Sequence, residues 1–273
     1  MAKSKTFILM TILALIFMFF GNLMAGEQGM IYALLLALGI NFFSYFFSDS
    51  LVLKHYHAIE IKEIQNPELY GIVSKLAKKA GLPMPKVYII PDNVPNAFAT
   101  GRNPDNAAVA TTQGLLKILS KEELEGVLAH ELSHIRHYDI LTGTIAATFA
   151  GAIAHIANFA RGGNPNRSHR GNSALATILM PIAAVIIQMS ISREREYKAD
   201  EGSAQLTGHP KWLASALQKL ENAAKGNILN GANSQTSHMF IVNPFGLSQL
   251  FSTHPSTQDR IKRLHELAKN FRE

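Results

Sequence analysis

One run in the sequence combines residue types and spacing suited to hydrolytic metal chemistry: His130-Glu131-Leu132-Ser133-His134. Two histidines four positions apart share one face of a helix, so both imidazoles can bind a single metal ion. Glu131 then lies beside the ion, where a carboxylate can take a proton from water. Five residues can also match such a pattern by chance, but a chance match would carry neither a helix cap nor a third ligand.

The residues before this run predict the helix that it needs. Ser120 and Glu123 form a capping box, the S-x-x-E pattern that begins many helices. Leu124, Val127 and Leu128 continue from that cap with helical spacing. The capped helix therefore favours a metal site over a chance match, and it places both histidines on one face.

A catalytic zinc site usually has three protein ligands and one open position. The longer pattern with a third histidine downstream fails, because Ile140 stands where that histidine is required. The chain has no cysteine, so the remaining ligand is His, Asp or Glu. Glu196 and Asp200, at i and i+4 of a later predicted helix, offer a metal ligand and an acceptor for the second N–H of a ligand histidine. Glu194 is a competing ligand, and a solvated helix of Arg/Glu pairs is the alternative for this segment.

The composition indicates a membrane protein. The chain of 273 residues is 47% hydrophobic and 17% charged, whereas soluble chains carry about 25% charged residues. Four segments lack Asp, Glu, Lys and Arg and, as helices, can cross a hydrocarbon core of about 30 Å. They cover 6–26, 28–48, 140–160 and 171–192. The last two are rich in small residues, so a buried or re-entrant hairpin is the alternative for that pair.

The distribution of charge predicts the orientation. Lys3 and Lys5 favour a cytoplasmic N-terminus, and the second span then returns the chain to the cytoplasm. The first segment also resembles a signal peptide, but the second span follows at once and favours a retained anchor. The arginines between the third and fourth segments conflict with the positive-inside rule if both segments span. The net charge of +6 fits anionic lipid headgroups better than nucleic acid.

Four stretches divide the chain. We expect two transmembrane helices in 1–50, the first part of a catalytic domain in 51–139, two further membrane segments in 140–192 and the second catalytic part in 193–273. Periodicity predicts helices at 66–80, 193–206, 210–224 and 257–271, and strands at 86–90, 96–100 and 107–112.

Several motifs together are similar to the HtpX family of membrane-bound zinc metalloproteases, relatives of the CAAX prenyl protease. They are His130 to His134, Glu196 to Asp200, Asn96-Ala97-Phe98-Ala99, 110–116, Thr253-His254-Pro255 and Arg260-Ile261. The resemblance covers nearly the whole chain, including the two N-terminal spans. It implies one Zn²⁺ ion per chain, bound by His130, His134 and Glu196. Glu131 is then the catalytic residue.

The resemblance also implies a fold and a role. We expect a mainly α integral membrane protein with about four transmembrane helices and a cytoplasmic, gluzincin-like α+β domain containing a small β-sheet. The role is endoproteolysis of damaged membrane proteins in a bacterial inner membrane, as part of quality control and stress response. Glu131 acts as general base and then acid. His254 is the candidate oxyanion donor, with Arg260, Tyr197 and a structural role for 253–255 as alternatives.

A substrate-binding strand and a set of partners complete the hypothesis. The strand consists of Asn96, Ala97, Phe98 and Ala99, and as an edge strand it could pair with an extended substrate backbone; an ordinary hairpin strand is the alternative. The partners are membrane-protein and peptide substrates, the lipid bilayer and a homo-oligomer as an option, without nucleic acid. The competing functions are a scaffold with a structural metal, a transporter using His155 and a prenyl-protein protease.

Overall fold

The computed structural model describes residues 2–145, 193–225 and 255–271. Most of the predicted membrane segments 140–160 and 171–192 lies outside the described residues, and so do His155 and His254. The domain boundaries at 50, 139 and 192 stay predictions. The described part is mainly helical, with a long apolar N-terminal helix and a small mixed sheet.

The N-terminal helix α1 covers Ala2–His55 and is interrupted at Ala25 and Gly26, where the backbone is non-helical. Gly26 has a φ of 61°, in the left-handed region that glycine adopts without a Cβ clash. The chain doubles back at this point. Both limbs are apolar and long enough to cross a membrane, and their most apolar windows are only 12% and 11% buried within the protein. They therefore differ from the core helices of a soluble protein, which are mostly buried.

The two limbs of α1 pack against each other as an antiparallel hairpin. The side-chain amide of Asn41 donates to the carbonyl of Met10 at 3.2 Å. Nearer the turn, a Cβ added at Gly21 would lie 2.4 Å from the carbonyl oxygen of Gly29, so the backbones are in close contact there. In each of these two contacts, the two residues lie nearly equally far along the chain from the break at Ala25 and Gly26. The two limbs therefore run in opposite directions.

Four strands form one mixed sheet: β1 (Ile59–Ile61), β2 (Lys86–Ile90), β3 (Ala97–Gly101) and β4 (Ala107–Thr112). Their order is β1-β2-β4-β3, with β2 and β4 parallel and the other two pairs antiparallel. The predicted hairpin of β3 and β4 is present, and β3 is an edge strand. Strand β1 was not predicted, because three residues are too few to show a period of two.

The further helices in the described part of the chain are α2 (Pro67–Ala80), α3 (Gln113–Ile118), α4 (Lys121–Arg136), α5 (Arg193–Thr207), α6 (Pro210–Lys225) and α7 (Thr257–Ala268). Helices α2, α5, α6 and α7 begin and end within a few residues of their predicted bounds, α4 begins after its predicted cap, and the short α3 was not predicted. The capping box of α4 is formed, because the N–H of Glu123 donates to the Ser120 hydroxyl and the N–H of Ser120 donates to the Glu123 carboxylate. Residues 139–145 begin another helix just beyond α4.

Helix α4 is the centre of the main core. Leu128 and Leu132 are fully buried among side chains of α2, α5 and α6. Helix α5 approaches α4 closely at Gly202, where an added Cβ would lie 2.0 Å from the Ser133 hydroxyl oxygen. Ser203 reinforces the contact by donating to the carbonyl of Gly126 at 2.7 Å. This close crossing brings the first turn of α5 beside the histidines of α4.

A second core attaches the sheet to the end of α1. Val52 and Leu53, in the last turns of α1, pack with Phe98 of the edge strand and with other sheet residues. Further back along α1, the guanidinium of Arg102 lies 5.3 Å from the centre of the Phe46 ring. The edge strand is therefore fixed directly to the apolar helical hairpin.

Candidate metal centre

Helices α4 and α5 bring three ligand atoms to one point. The Nε2 atoms of His130 and His134 are 3.2 Å apart. The Glu196 carboxylate oxygens lie 3.7 Å from Nε2 of His130 and 3.6 Å from Nε2 of His134. Two ligands at about 2.0–2.1 Å from a tetrahedral zinc ion are themselves separated by about 3.4 Å. The three side chains therefore fit a metal ion of this size as they stand.

The electrostatic surroundings favour a cation at the same point. His130, Glu131 and Glu196 are buried, while His134 is partly exposed. Burial raises the pKa of Glu131, because a charged carboxylate is poorly solvated there. Burial also lowers the pKa of His130, but hydrogen bonds with Asp200 and Glu196 outweigh that effect and raise it to about 9. The carboxylates thus favour positive charge between them, as a divalent metal site requires.

His130 is supported from behind by a buried carboxylate and a buried guanidinium. Its Nδ1 lies 2.9 Å from the Asp200 carboxylate. Arg260 of α7 donates to both oxygens of Asp200, at 2.9 Å and 2.6 Å. Burial alone would raise the pKa of Asp200, but the Arg260 charge lowers it, so the carboxylate stays ionised. We call His130, Asp200 and Arg260 the buried relay.

His134 has a similar support that sequence reasoning missed. Its Nδ1 lies 3.3 Å from the Asp139 carboxylate, and Arg195 of α5 donates to the other oxygen of Asp139 at 3.3 Å. Burial raises the pKa of Asp139, but its hydrogen bond with His134 and the nearby charges lower it overall. The sequence signal was an aspartate five residues after the second histidine. We call His134, Asp139 and Arg195 the outer relay.

The edge strand faces the centre and contacts Glu131. The N–H of Ala99 donates to the Glu131 carboxylate at 2.8 Å. The N–H of Thr112, on β4, donates to the Asn96 carbonyl. In an edge strand, the backbone N–H and C=O groups of alternate residues point toward the neighbouring strand, and those of the residues between them point to the open edge. Asn96 pairs with β4, so the backbone groups of Ala97 and Ala99 point to the open edge. The strand is therefore placed to offer backbone groups beside the centre; its role in substrate binding stays a prediction.

The other candidates have different surroundings. Glu194 is 76% exposed and pairs with Lys198 at 2.7 Å, whereas the group of ligand atoms that could hold a metal contains Glu196. Arg260, one of the alternatives for the oxyanion donor, has its guanidinium engaged by Asp200 and also lies 3.8 Å from a Glu196 oxygen. The ring of Tyr197 lies 3.8 Å from the Arg263 guanidinium.

Comparison with known proteins gives matches over most of the chain. The model of peptidase family M48 matches residues 63–268. The protease HtpX homolog of Campylobacter hominis is 63% identical over 278 residues, covering 98% of this chain and 99% of its own length. That of a Sulfurovum species is 54% identical over 275 residues, covering 98% and 100%.

A solved structure shares the fold at low sequence similarity. Ste24p of S. mikatae aligns with a TM-score of 0.53 and 17% identity, over 92% of this chain. This chain covers 62% of that longer protein, and the similarity concerns the fold alone. The family match and the extensive identity with the HtpX homologs, in contrast, establish membership. The chain belongs to peptidase family M48 and is a metalloprotease of the HtpX type.

Proposed function

We propose that this protein is a zinc-dependent endopeptidase that cleaves damaged membrane proteins beside the cytoplasmic face of a bacterial inner membrane, in quality control and stress response. The observation that carries the proposal is the convergence of His130, His134 and Glu196 next to the buried Glu131. The relatives named protease HtpX homologs support the peptidase activity.

The ligand set supports zinc. Two imidazoles and one carboxylate are a common set in catalytic zinc sites, and the sequence offers no thiolate. His130, His134 and Glu196 would hold one ion. When bound, zinc lowers the pKa of water and polarises a carbonyl. A structural zinc site would need a fourth protein ligand, and the described residues contribute three ligand atoms to the group.

Glu131 moves the proton in this proposal. Its carboxylate takes a proton from the attacking water and then delivers that proton to the leaving amine. Burial raises the pKa of Glu131, so this carboxyl group takes up a proton more readily than an exposed one and can then pass it to the amine. The N–H of Ala99 orients the carboxylate from the strand side. His254 remains our proposed donor to the oxyanion.

The edge strand supports binding of an extended substrate. A substrate segment adding to β3 would pair with the outward backbone groups of Ala97 and with the carbonyl of Ala99, because the Ala99 N–H is used by Glu131. The scissile carbonyl carbon of the substrate would then lie beside Glu131. The backbone of Asn96 bonds this strand to β4, and the side chain of Phe98 packs it against α1. Recognition through the backbone demands little of the substrate sequence, which suits a protease of damaged proteins.

The position near a membrane follows from the length of α1. Its second limb, Ala25–His55, has 31 residues and a length of about 46 Å, against a hydrocarbon core of about 30 Å. The last turns therefore extend beyond the core or the limb tilts. The sheet packs on Val52 and Leu53 in those turns, so the metal centre would lie close to the membrane surface. Lys3 and Lys5 support a cytoplasmic position for that surface.

The test is proteolysis and metal analysis of the full chain in detergent. We expect about one zinc per chain in the wild type, as the three-ligand set of a catalytic site predicts. Glu131→Gln should keep the zinc and lose cleavage of a membrane-protein substrate, and His134→Ala should lose both. Glu122→Gln, an exposed change on the same helix, is the matched control and should behave as wild type.

Two outcomes would overturn the proposal. Undiminished cleavage by Glu131→Gln would exclude the proton-transfer role, and zinc without cleavage in the wild type would favour a structural metal. A strict requirement for a farnesylated peptide would replace membrane proteins by prenylated proteins as the substrate class.

A further inference from the structure

The outer relay contains a residue from each side of the predicted membrane segment 140–192: Asp139 before it and Arg195 after it. The chain enters the helix 139–145 at Asp139 and returns to the described part at Arg193, the first residue of α5. Arg195 contacts Asp139 although the two are 56 positions apart in the sequence. The ion pair therefore joins the entry and the exit of this segment.

We propose that Asp139 and Arg195 form a clasp, an ion pair between the two parts of the chain that flank the predicted membrane segment, and that this clasp fixes the imidazole of His134 for metal binding. The inference rests on the proposed function, in which His134 is a zinc ligand. Both residues are positioning residues, because they act through His134 and do not contact the metal point themselves.

The geometry gives each oxygen of Asp139 a separate partner. One oxygen lies 3.3 Å from Nδ1 of His134, which turns the Nε2 atom of that ring toward His130. The other oxygen accepts from Arg195 at 3.3 Å. The side chains of Asp139 and Arg195 are only 10% and 16% exposed, so water screens the pair less than it screens a surface ion pair.

The backbone before Asp139 is arranged for this contact. Helix α4 ends at Arg136, and the turn contains Tyr138 with a φ of 61°, a conformation that residues other than glycine rarely adopt. This turn ends α4 and starts the next helix, and the first residue of that helix, Asp139, lies against His134. A straight continuation of α4 would carry Asp139 away along the helix axis.

The same short helix also contacts the edge strand. The Thr144 hydroxyl donates to the Ile140 carbonyl at 2.7 Å and lies 2.9 Å from the Thr100 hydroxyl. With its hydrogen already used, Thr144 accepts from Thr100. Thr100 follows Ala99, whose N–H holds Glu131. Helix 139–145 therefore contributes Asp139, which holds the ligand His134, and contacts Thr100, the neighbour of the residue that holds Glu131.

The experiment is a double-mutant cycle on the full chain in detergent. Asp139→Asn, Arg195→Met and the double variant are compared by zinc affinity in a chelator competition and by the visible spectrum of the Co²⁺ form, which reports ligand geometry without activity. Loss of such a supporting contact weakens metal binding by about 10–100-fold, and we expect Asp139→Asn in this range. The double variant should bind no more weakly than Asp139→Asn alone, because both changes break one contact.

Controls separate the clasp from general effects. Lys198→Met removes an exposed cation of the same helix, paired with Glu194, and should leave affinity and spectrum unchanged. Arg195→Lys should restore part of the affinity that Arg195→Met loses. If Asp139→Asn does not fold, Arg195→Met measured against Lys198→Met decides the question.

Unchanged zinc affinity and Co²⁺ spectrum in these variants, or strictly additive effects, would overturn the clasp. If the wild type itself binds no zinc and cleaves nothing, the proposed function fails instead. A wild type that binds zinc and cleaves, together with variants that do so equally well, contradicts the clasp alone.

Discussion

His130 and His134 lie one turn apart on the same helix, yet their two supports differ in depth and in origin. The buried relay joins three helices, α4, α5 and α7, through Asp200 and Arg260, which are 3% and 1% exposed. Its Arg260 contacts are bidentate and short, at 2.9 Å and 2.6 Å. Such charge-assisted pairs are strong, and removing one partner in a poorly solvated site strongly destabilises the fold, because the other charge is left buried and unpaired.

The outer relay is looser. Asp139 follows His134 by five residues, both of its contacts are 3.3 Å long, and Arg195 is partly exposed. Among the described residues, the Nε of Arg195 is buried without a hydrogen-bond partner, so the guanidinium is not fully engaged. His130 is therefore held within the main core, while His134 is held where the chain enters and leaves the predicted membrane segment. We expect damage to the buried relay to lower both stability and metal affinity, and damage to the outer relay to lower mainly metal affinity.

The largest expected effect is that of Arg260→Met. It leaves the Asp200 carboxylate buried without its cation, and breaking such a pair costs about 3–5 kcal/mol. The thermal denaturation midpoint of the detergent-solubilised protein should fall sharply. Adding Asp200→Asn to this variant should recover part of the loss, whereas Lys262→Met, an exposed change on the same helix, should cost little. Equal stability of Arg260→Met and wild type would remove the distinction between the relays.

The next effect separates the two aspartates by metal affinity. Asp200→Asn and Asp139→Asn each remove a charged acceptor from a ligand histidine, a change that costs about 10–100-fold in affinity. We expect Asp200→Asn near the upper end, because its contact with His130 is shorter and more deeply buried. Chelator competition measures both, with Asp105→Asn in an exposed turn as the control. A larger loss of metal affinity in Asp139→Asn than in Asp200→Asn would show that the outer relay contributes more to metal binding.

The pH dependence of the metal-free protein should come from the buried relay. The pKa of His130 is raised from its ordinary value of 6.5 to about 9, so the folded state holds this proton more tightly than the unfolded state. The resulting stability, up to about 3 kcal/mol, is fully present below about pH 6.5 and is lost as pH rises through about 9. Thermal denaturation in chelator between pH 6 and 9 should show this fall. The same series on His130→Gln should be flatter, and an equally steep fall would assign the effect to another group.

The smallest expected effect concerns the turn before Asp139. A left-handed conformation costs a residue other than glycine about 1–2 kcal/mol. Tyr138→Gly removes that cost but adds flexibility to the unfolded chain, so a net gain of about 0.5–1 kcal/mol is expected. His137→Gly is the matched control, because His137 has an ordinary φ of −89° and should only lose stability. Metal affinity in Tyr138→Gly then shows how much of the outer relay depends on a stiff turn.

Local patterns predicted most of the described elements. The capping box of Ser120 and Glu123 fixed the start of α4, and the helix period placed His130 and His134 on one face. Asn66 and Gly81 cap α2 as their residue types favour. Strand β1 and helix α3 were missed, since short elements gain their stability from the neighbours on which they pack.

The site was predictable where residues on one helix share a face. Glu196 and Asp200, at i and i+4, could be assigned as a pair before any contact was known. Asp139 was missed, because it follows a left-handed turn that no periodicity describes. The engagement of Arg260 with Asp200 was also missed, since a partner 60 positions away becomes a neighbour only after α7 packs on α5.

Local spacing and hydrophobicity were enough to predict an H-E-x-x-H helix, an acidic partner helix, apolar segments and a strand that could bind substrate. The supports of the ligand histidines, in contrast, are visible only in the packed structure. The Asp200–Arg260 and Asp139–Arg195 pairs depend on which helices cross and how deeply each pair is buried. Burial and proximity are properties of the packed chain, because residues far apart in sequence become neighbours only when the core excludes water.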